Sequence, residues 1–233
     1  MSKAIIKTLV FSACLLFAIP SWSAIPSWSA SVEVSPAEDL MREHGVLSRI
    51  LLIYDEIIYR LDNNKDFPQQ ALADSAGIIR AFVEDYHEKL EENYIFPRLK
   101  KEKQLAGLVR VLLMQHYAGR RLTAKIKDRA TKGALRNPSE RKELRQLLHA
   151  FVRMYRPHKA REDTVLFPAM HSVFSAKEYD ALGDSFEEKE TQIFGQNGFE
   201  NVVSRVEKIE KLLGINELSR FTPGLFKNSD SRT

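Results

Sequence analysis

The chain has 233 residues, 44% of them hydrophobic, which is enough to bury one substantial core with a small appendage. Its 35 lysine and arginine residues nearly balance its 31 acidic residues, so the charge gives no case for nucleic-acid binding. The single cysteine, Cys14, lies near the N-terminus. We therefore expect neither disulfides nor cysteine-ligated metal in the rest of the chain.

Residues 1–30 are typical of a secretory signal peptide. Lys3 and Lys7 form a short basic region, Thr8–Ile19 is an apolar run, and a tandem IPSWSA repeat follows. The run is shorter than the roughly 20 residues that span a bilayer, so we expect cleavage between about residues 23 and 31 and no stable membrane anchor afterwards. A lipoprotein anchor at Cys14 is the weaker alternative, because the apolar run continues past it. The sequence thus predicts an exported, periplasmic protein with a formal charge of +2, since only Lys3 and Lys7 are lost.

From Ser35 onward the sequence predicts helices almost throughout. The run Ser35-Pro36-Ala37-Glu38 is typical of a helix start, and the apolar stripe of the helix that follows includes His44. The polar run 62–66 ends this helix. Pro68 opens a second helix, whose apolar stripe is bordered by His87 and Glu91.

The second half of the chain repeats this pattern. A third helix is predicted over about residues 102–131, with His116 in phase with its apolar positions, and Gly133 marks a turn. Asn137 opens a fourth helix that carries His158 and Glu162 on its apolar stripe. Pro157 falls inside the fourth helix, where we expect a kink or a freed backbone carbonyl.

Long amphipathic helices joined by short polar loops predict an all-α fold, an antiparallel up-down four-helix bundle over residues 35–174. The spacing of the repeat makes this bundle a duplicated helical hairpin. Extra C-terminal helices are predicted over 175–214, the first of them opened by Ser175 and Glu178, and a polar tail over 215–233.

One unit of sequence occurs twice and carries the candidate chemistry. The segments His87–Pro97 (HEKLEENYIFP) and His158–Pro168 (HKAREDTVLFP) each place a glutamate four residues after a histidine, with Phe-Pro beyond it. Each has a further histidine upstream, His44 in the first case and His116 in the second. Because residues i and i+4 share one helix face, each unit directs an imidazole and a carboxylate to one point.

Metal binding explains this pattern better than packing does. Burying so many ionisable groups without a shared partner would cost several kcal/mol for each group. Nitrogen and oxygen ligands without sulfur suit iron or manganese and, less specifically, zinc. A ferritin-like Glu-x-x-His pair is the alternative, and Glu84 and His87 have that spacing, but Tyr155 stands at the matching place before His158.

The two remaining histidines, His149 and His171, serve as an internal comparison. Measured from His158, they lie roughly 180° and 220° around an ideal helix. We therefore expect both on the surface or in packing rather than in a metal site.

These motifs resemble the hemerythrin family, the HHE cation-binding domains. The resemblance runs from about Glu38 to His171 and implies an antiparallel bundle around a non-haem pair of iron ions with an oxo or hydroxo bridge. It also implies O2, a related diatomic molecule or peroxide as the small ligand. By position, the resemblance assigns six metal ligands: His44, His87, Glu91, His116, His158 and Glu162.

Arg120 departs from the family's oxygen carriers, which have a second histidine one turn after the position of His116. Four histidines, two bridging carboxylates and an oxo bridge would leave about one open position on each six-coordinate iron. Arg120 could hydrogen-bond a bound anion or pair with an acidic neighbour such as Glu88. Glu88 itself could bind metal, support a ligand, or be a solvated residue.

The sequence leaves three functions open. The first is an exported di-iron protein that binds iron and O2 or a related small ligand, in sensing, storage or scavenging. The second is a di-iron enzyme of the peroxidase or oxidase type, or one that reacts with nitric oxide. The third is a metal-stabilised interaction scaffold that uses the C-terminal helices, with a partner protein that the sequence does not specify.

Overall fold

A computed structural model describes residues 34–131 and 135–223; the predicted signal peptide, Gly133 and the end of the polar tail lie outside these ranges. The regular structure of the described residues is entirely helical, which confirms the predicted all-α class. None of these helices combines the length and apolar character that a membrane span requires. Six helices follow one another in the described ranges: α1 (Pro36–Asp62), α2 (69–99), α3 (Ala106–Arg129), α4 (138–173), α5 (Ala176–Phe194) and α6 (Gly198–Leu213).

Most helix starts follow the capping residues that the sequence indicated. The Ser35 hydroxyl accepts a hydrogen bond from the backbone N–H of Glu38, and the Asn137 side chain accepts one from Ser139 N–H. Ser175 and Glu178 form a reciprocal capping box at the start of α5. The third helix was predicted to start too early: residues 100–105 form turns, and α3 begins at Ala106.

α2 and α4 are interrupted by wide π-helical turns at the same place in the repeat. The turns Glu91–Ile95 and Glu162–Leu166 directly precede the two Phe-Pro pairs. A proline has no N–H to donate and crowds the carbonyl four residues earlier, and a π turn relieves both problems. Pro157, by contrast, lies inside Pro138–Arg161, which stays α-helical.

α1 lies at the centre of the packing. It contacts α4 and α6 most extensively, while α3 packs on α4 and α2 contacts α1, α3 and α6. The side chains between these helices include Tyr54, Phe82 and Phe151, all nearly fully buried. Arg49 on α1 donates two hydrogen bonds to Glu210 on α6, at 2.8 and 2.6 Å, and holds the C-terminal helices against the others.

Candidate metal centre

α1 to α4 together supply one buried cluster of ionisable side chains. His44 comes from the first half of α1, His116 from the middle of α3, and an HxxxE pair from each of α2 and α4. The same faces carry the apolar stripes, so burying those stripes also buries the ligand candidates. No member is more than 4% exposed: His44, His87, Glu91, His116, His158 and Glu162.

The cluster divides into two sets of three potential ligands. His44, His87 and Glu91 form the first set, and within each set one ligand atom per residue lies within 4.8 Å of the others. The second set consists of His116 and the HxxxE pair of α4. The two Nε2 atoms face each other at 3.0 Å in the first set and 3.2 Å in the second. Each set is a two-nitrogen, one-carboxylate arrangement that suits a transition-metal ion.

The two glutamates lie between the sets. Glu91 Oε1 is 3.8 Å from His87 Nε2 in its own set, and its Oε2 is 3.4 Å from His116 Nε2 in the other. Glu162 Oε2 is 3.4 Å from His44 Nε2 and 3.1 Å from the Nε2 of the histidine four residues before it. Each carboxylate can therefore span both sets.

The unpaired oxygens of these glutamates test whether a cation fits. All four carboxylate oxygens of Glu91 and Glu162 are buried, and the described residues offer them no hydrogen-bond partner. A buried carboxylate without a partner costs several kcal/mol, and a bound cation removes that cost. The residues present thus fit cation binding at this cluster.

Each histidine of the cluster is oriented by an acceptor at its far nitrogen. An Nδ1–H that donates to such an acceptor leaves the Nε2 lone pair directed into the cluster. The four Nδ1 contacts are His44 to Asp163 at 2.6 Å, His87 to Glu43 at 2.6 Å, His116 to Glu92 at 3.1 Å and His158 to Gln115 at 2.9 Å.

These four acceptors were not predicted from the sequence, although they follow the repeat. Glu43 and Gln115 each directly precede the first histidine of a repeat and hold the second histidine of that same repeat. Glu92 and Asp163 each directly follow the glutamate of a repeat and hold the first histidine of the other repeat. Their place beside a candidate ligand was the signal that could have identified them.

The repeated Phe-Pro pairs also serve the cluster. Phe167 stacks on the His44 ring with 5.4 Å between ring centroids, and Phe96 stacks on His116 at 5.5 Å. Each phenylalanine therefore covers a histidine of the opposite repeat with an apolar face.

The six ligand candidates do not share one protonation preference. Burial, reinforced by the carboxylate of Glu162, raises the pKa of Glu91 well above its usual range. Burial acts the same way on Glu162, but His158 and His44 outweigh it and hold its pKa low. Burial alone would lower the pKa of His44, yet the hydrogen bond to Asp163 and the nearby carboxylate of Glu162 raise it to about 9. Cation binding would replace this mixture with one deprotonated ligand set.

Arg120 and Glu88 lie behind His116 rather than between the two sets. Arg120 Nη2 is 2.7 Å from Glu88 Oε2 and 2.6 Å from Glu92 Oε1. Arg120 thus pairs with acidic neighbours and supports His116 through Glu92. Glu88 is 1% exposed and accepts a 2.8 Å hydrogen bond from the Tyr155 hydroxyl, so it is not a solvated residue.

Glu88 and Glu92, the two acidic partners of Arg120, have very different pKa values. Burial raises the pKa of Glu88 to about 8, against the opposing effects of Arg120 and Tyr155. For Glu92 the balance is reversed: burial would raise its pKa, but hydrogen bonds from His116, Lys89 and Arg120 lower it to about 2. Of these two partners of Arg120, Glu92 is therefore the charged one.

His149 and His171 lie outside the cluster, as expected. Both are exposed, and the His171 ring packs on Tyr179 with 4.5 Å between ring centroids.

The helical fold and the paired histidine and glutamate sets together define a cation-binding helical protein. Residues 35–170 match the hemerythrin HHE cation binding domain. The chain therefore belongs to the hemerythrin family, which confirms the resemblance drawn from its motifs. No solved structure matches the chain.

Relatives exist among curated proteins. Uncharacterized proteins of Mycobacterium tuberculosis, strains H37Rv and CDC 1551, and of Mycobacterium bovis are each 50% identical to this chain over 192 residues. The match covers 82% of this chain and 75% of each relative.

Proposed function

We propose that the protein is an exported, periplasmic, non-haem di-iron protein that binds O2 or a related small ligand, for sensing, storage or scavenging. The proposed centre lies in a duplicated up-down four-helix bundle formed by α1 to α4. The observation that carries the proposal is the position of Glu91 and Glu162. Both glutamates have unpaired oxygens, and each glutamate lies near histidines of both sets.

The donor set favours iron. His44, His87 and Glu91 would hold one ion and the matching set of α3 and α4 the other, with both glutamates shared. Four imidazole nitrogens and carboxylate oxygens without sulfur suit iron, and manganese and zinc are the weaker fits. A bound iron pair would supply one-electron redox chemistry and exchangeable coordination positions for a small ligand.

The protein's own residues would set the properties of that pair. The Nδ1 acceptors fix the direction of each imidazole, and a charged acceptor makes its histidine a stronger donor. Asp163 and Glu92, whose pKa values are both lowered, each serve one set. The other acceptor is the carboxyl group of Glu43 in the first set and the neutral amide of Gln115 in the second. The two metal positions are therefore not equivalent, although the repeat places them symmetrically.

The position of Arg120 bears on the choice between binding and catalysis. Its guanidinium is engaged by Glu88 and Glu92, so it supports the ligand shell rather than a bound anion. A hydrogen bond from Arg120 to a bound anion, which would favour the enzyme hypothesis, is therefore not supported. The missing fifth histidine still leaves about one open position on each ion, which suits binding of a small molecule.

Metal analysis and optical spectroscopy test the proposal. Purified protein loaded with Fe²⁺ and exposed to air should hold about two irons per chain and develop ferric charge-transfer absorption. His116→Ala should lose that absorption, while the matched control His149→Ala, which changes an exposed histidine, should retain it. Zinc at about one ion per chain, with no response to oxygen, would contradict the proposal.

A further inference from the structure

A second acidic cluster lies beside the candidate metal centre, where α1 meets α5. Asp39, Glu43 and Glu190 each offer a carboxylate oxygen, and these oxygens lie within 4.8 Å of one another. Asp39 and Glu190 line a cavity of about 350 Å³, and Glu187 and Glu200 add further negative charge to its wall.

The unpaired oxygen of Glu43 distinguishes this cluster from a solvated acidic surface. Glu43 is 1% exposed, and its Oε2 is 2.6 Å from His87 Nδ1. Its other oxygen, Oε1, is buried and has no hydrogen-bond partner among the described residues. The Tyr86 hydroxyl is likewise buried and has no hydrogen-bond partner among the described residues. One oxygen of a buried carboxylate is thus left for a ligand.

Glu190 is held in place by the loop between α5 and α6. Its Oε1 accepts a 2.9 Å hydrogen bond from the backbone N–H of Phe199. A Cβ atom at Gly198 would lie 2.9 Å from that oxygen, so the close approach depends on glycine at this position. The second oxygen of Glu190 remains to complete the cluster.

The nearby positive charge does not balance these acids. Arg42 Nη1 is 3.7 Å from Asp39 Oδ1, while Arg42 Nη2 is 3.9 Å from Glu200 Oε1 and its guanidinium lies over the Phe199 ring. The cluster and the cavity wall together carry five carboxyl groups, and Arg42 contacts two of them, Asp39 and Glu200. Consistent with this excess, burial and then the charges of Glu43 and Glu190 raise the pKa of Asp39 to about 7.

We propose that Asp39, Glu43 and Glu190 form an outer cation site, separate from the paired centre, that binds a divalent cation preferring oxygen ligands. Mn²⁺, Mg²⁺ and Ca²⁺ share this preference. The hydrogen bond between Glu43 and His87 places the outer cation one residue away from the inner ligand set. Glu190 lies beyond residues 35–170, so the C-terminal helices complete the outer site.

Mn²⁺ binding followed by electron paramagnetic resonance tests this site. The wild-type protein should bind about one Mn²⁺ per chain in addition to the metal of the paired centre. Asp39→Asn and Glu190→Gln, which keep the side-chain shape, should each weaken that extra binding at least about tenfold. Glu187→Gln, which changes an acid of the same cavity outside the cluster, is the matched control and should bind as the wild type does.

Two further experiments distinguish the outer site from the paired centre. His116→Ala should keep the extra Mn²⁺ while losing inner metal, so failure of the di-iron proposal and failure of the outer site give different results. In competition experiments, displacement of the bound Mn²⁺ by Fe²⁺, Mg²⁺ or Ca²⁺ identifies the preferred cation and supports the site. Retention of Mn²⁺ against all three identifies Mn²⁺ as the preferred cation. The proposal is overturned if no extra Mn²⁺ binds, or if Glu190→Gln binds as tightly as the wild type.

Discussion

Asp163 Oδ1 lies 2.6 Å from Nδ1 of His44, although the two residues are 119 positions apart in the chain. Glu92 has the same relationship to His116, at 3.1 Å. In both cases the residue that follows a candidate ligand glutamate in one repeat orients the first histidine of the other repeat. Each half of the candidate centre therefore depends on the other half for its geometry.

Asp163→Asn tests this dependence. An asparagine oxygen can still accept from Nδ1, but without the negative charge that makes His44 a strong donor. We expect metal affinity to fall by about 10- to 100-fold, the range found when a residue supporting a ligand is changed. Competition with a chromogenic chelator measures it. Asp180→Asn, at an exposed position of α5, is the control, and equal affinity in the two variants would show that the Asp163 charge gives no support.

Arg120→Gln should reduce stability in a pH-dependent manner. The low pKa of Glu92, about 2, means that its charged form stabilises the folded protein, because that pKa is below the ordinary value of 4.5. This contribution is fully present above pH 4.5 and is lost as the pH falls toward 2. Losing the Arg120 contact should cost about 1 kcal/mol at pH 7, since the pair is partly exposed, and less at pH 3.

Urea unfolding of metal-free protein at both pH values measures the Arg120 effect. Arg121→Gln is the matched control, because Arg121 is the next residue of α3, is exposed and has its guanidinium over the Tyr117 ring. An equal loss of stability at pH 7 and pH 3 would contradict the role assigned to the charge of Glu92.

The duplicated motif and the helix caps made much of this structure predictable. Apolar periodicity places the six ligand candidates on buried faces, and Ser35, Asn137 and Ser175 set three helix starts within one residue. These signals are local: a cap is read from four residues, and HxxxE fixes two side chains on one turn. Repetition then implied that the two halves would meet.

The Nδ1 acceptors were not predictable in this way, because they depend on how neighbouring helices are rotated. Glu43 and Asp163 are next to ligand candidates in sequence, yet each reaches a histidine on a different helix. The start of α3 at Ala106 was also missed, since residues 100–105 continue the polar turn that ends α2. The π turn Ile79–His87 contains neither proline nor glycine, and no local sequence feature explains it.

Gly119→Ala should destabilise the protein by about 1–3 kcal/mol, the usual cost of overpacking. A Cβ atom at Gly119 would lie 1.9 Å from the Tyr155 hydroxyl oxygen, so the tyrosine must move and lose its hydrogen bond to Glu88. The direction of this stability change is informative, because alanine in place of a helical glycine otherwise stabilises a protein by about 1 kcal/mol. Gly77→Ala, whose added Cβ meets nothing within 4 Å, is the control and should be stabilising.

A second substitution checks the cause of the Gly119 effect. Tyr155→Phe removes the oxygen nearest the new Cβ and leaves the ring carbon Cζ 2.8 Å away, so part of the clash is relieved and the double variant should be less destabilised than the sum of the two single variants. Thermal unfolding of the four proteins gives this coupling directly. Additive losses would show that the contact between Gly119 and Tyr155 is not the reason for the glycine.

Removing the metal should lower the thermal stability of the protein substantially. Without a cation, the four carboxylate oxygens of Glu91 and Glu162 stay buried and unpaired. A ligand held only by the native state stabilises it by about 4 kcal/mol when its free concentration is a thousandfold above Kd. Differential scanning calorimetry with and without a chelator measures this loss, and Glu91→Gln, which weakens metal binding, should show a smaller difference. An unchanged Tm in chelator would instead show that no cation stabilises the native state, which would contradict both the di-iron proposal and a metal-stabilised scaffold.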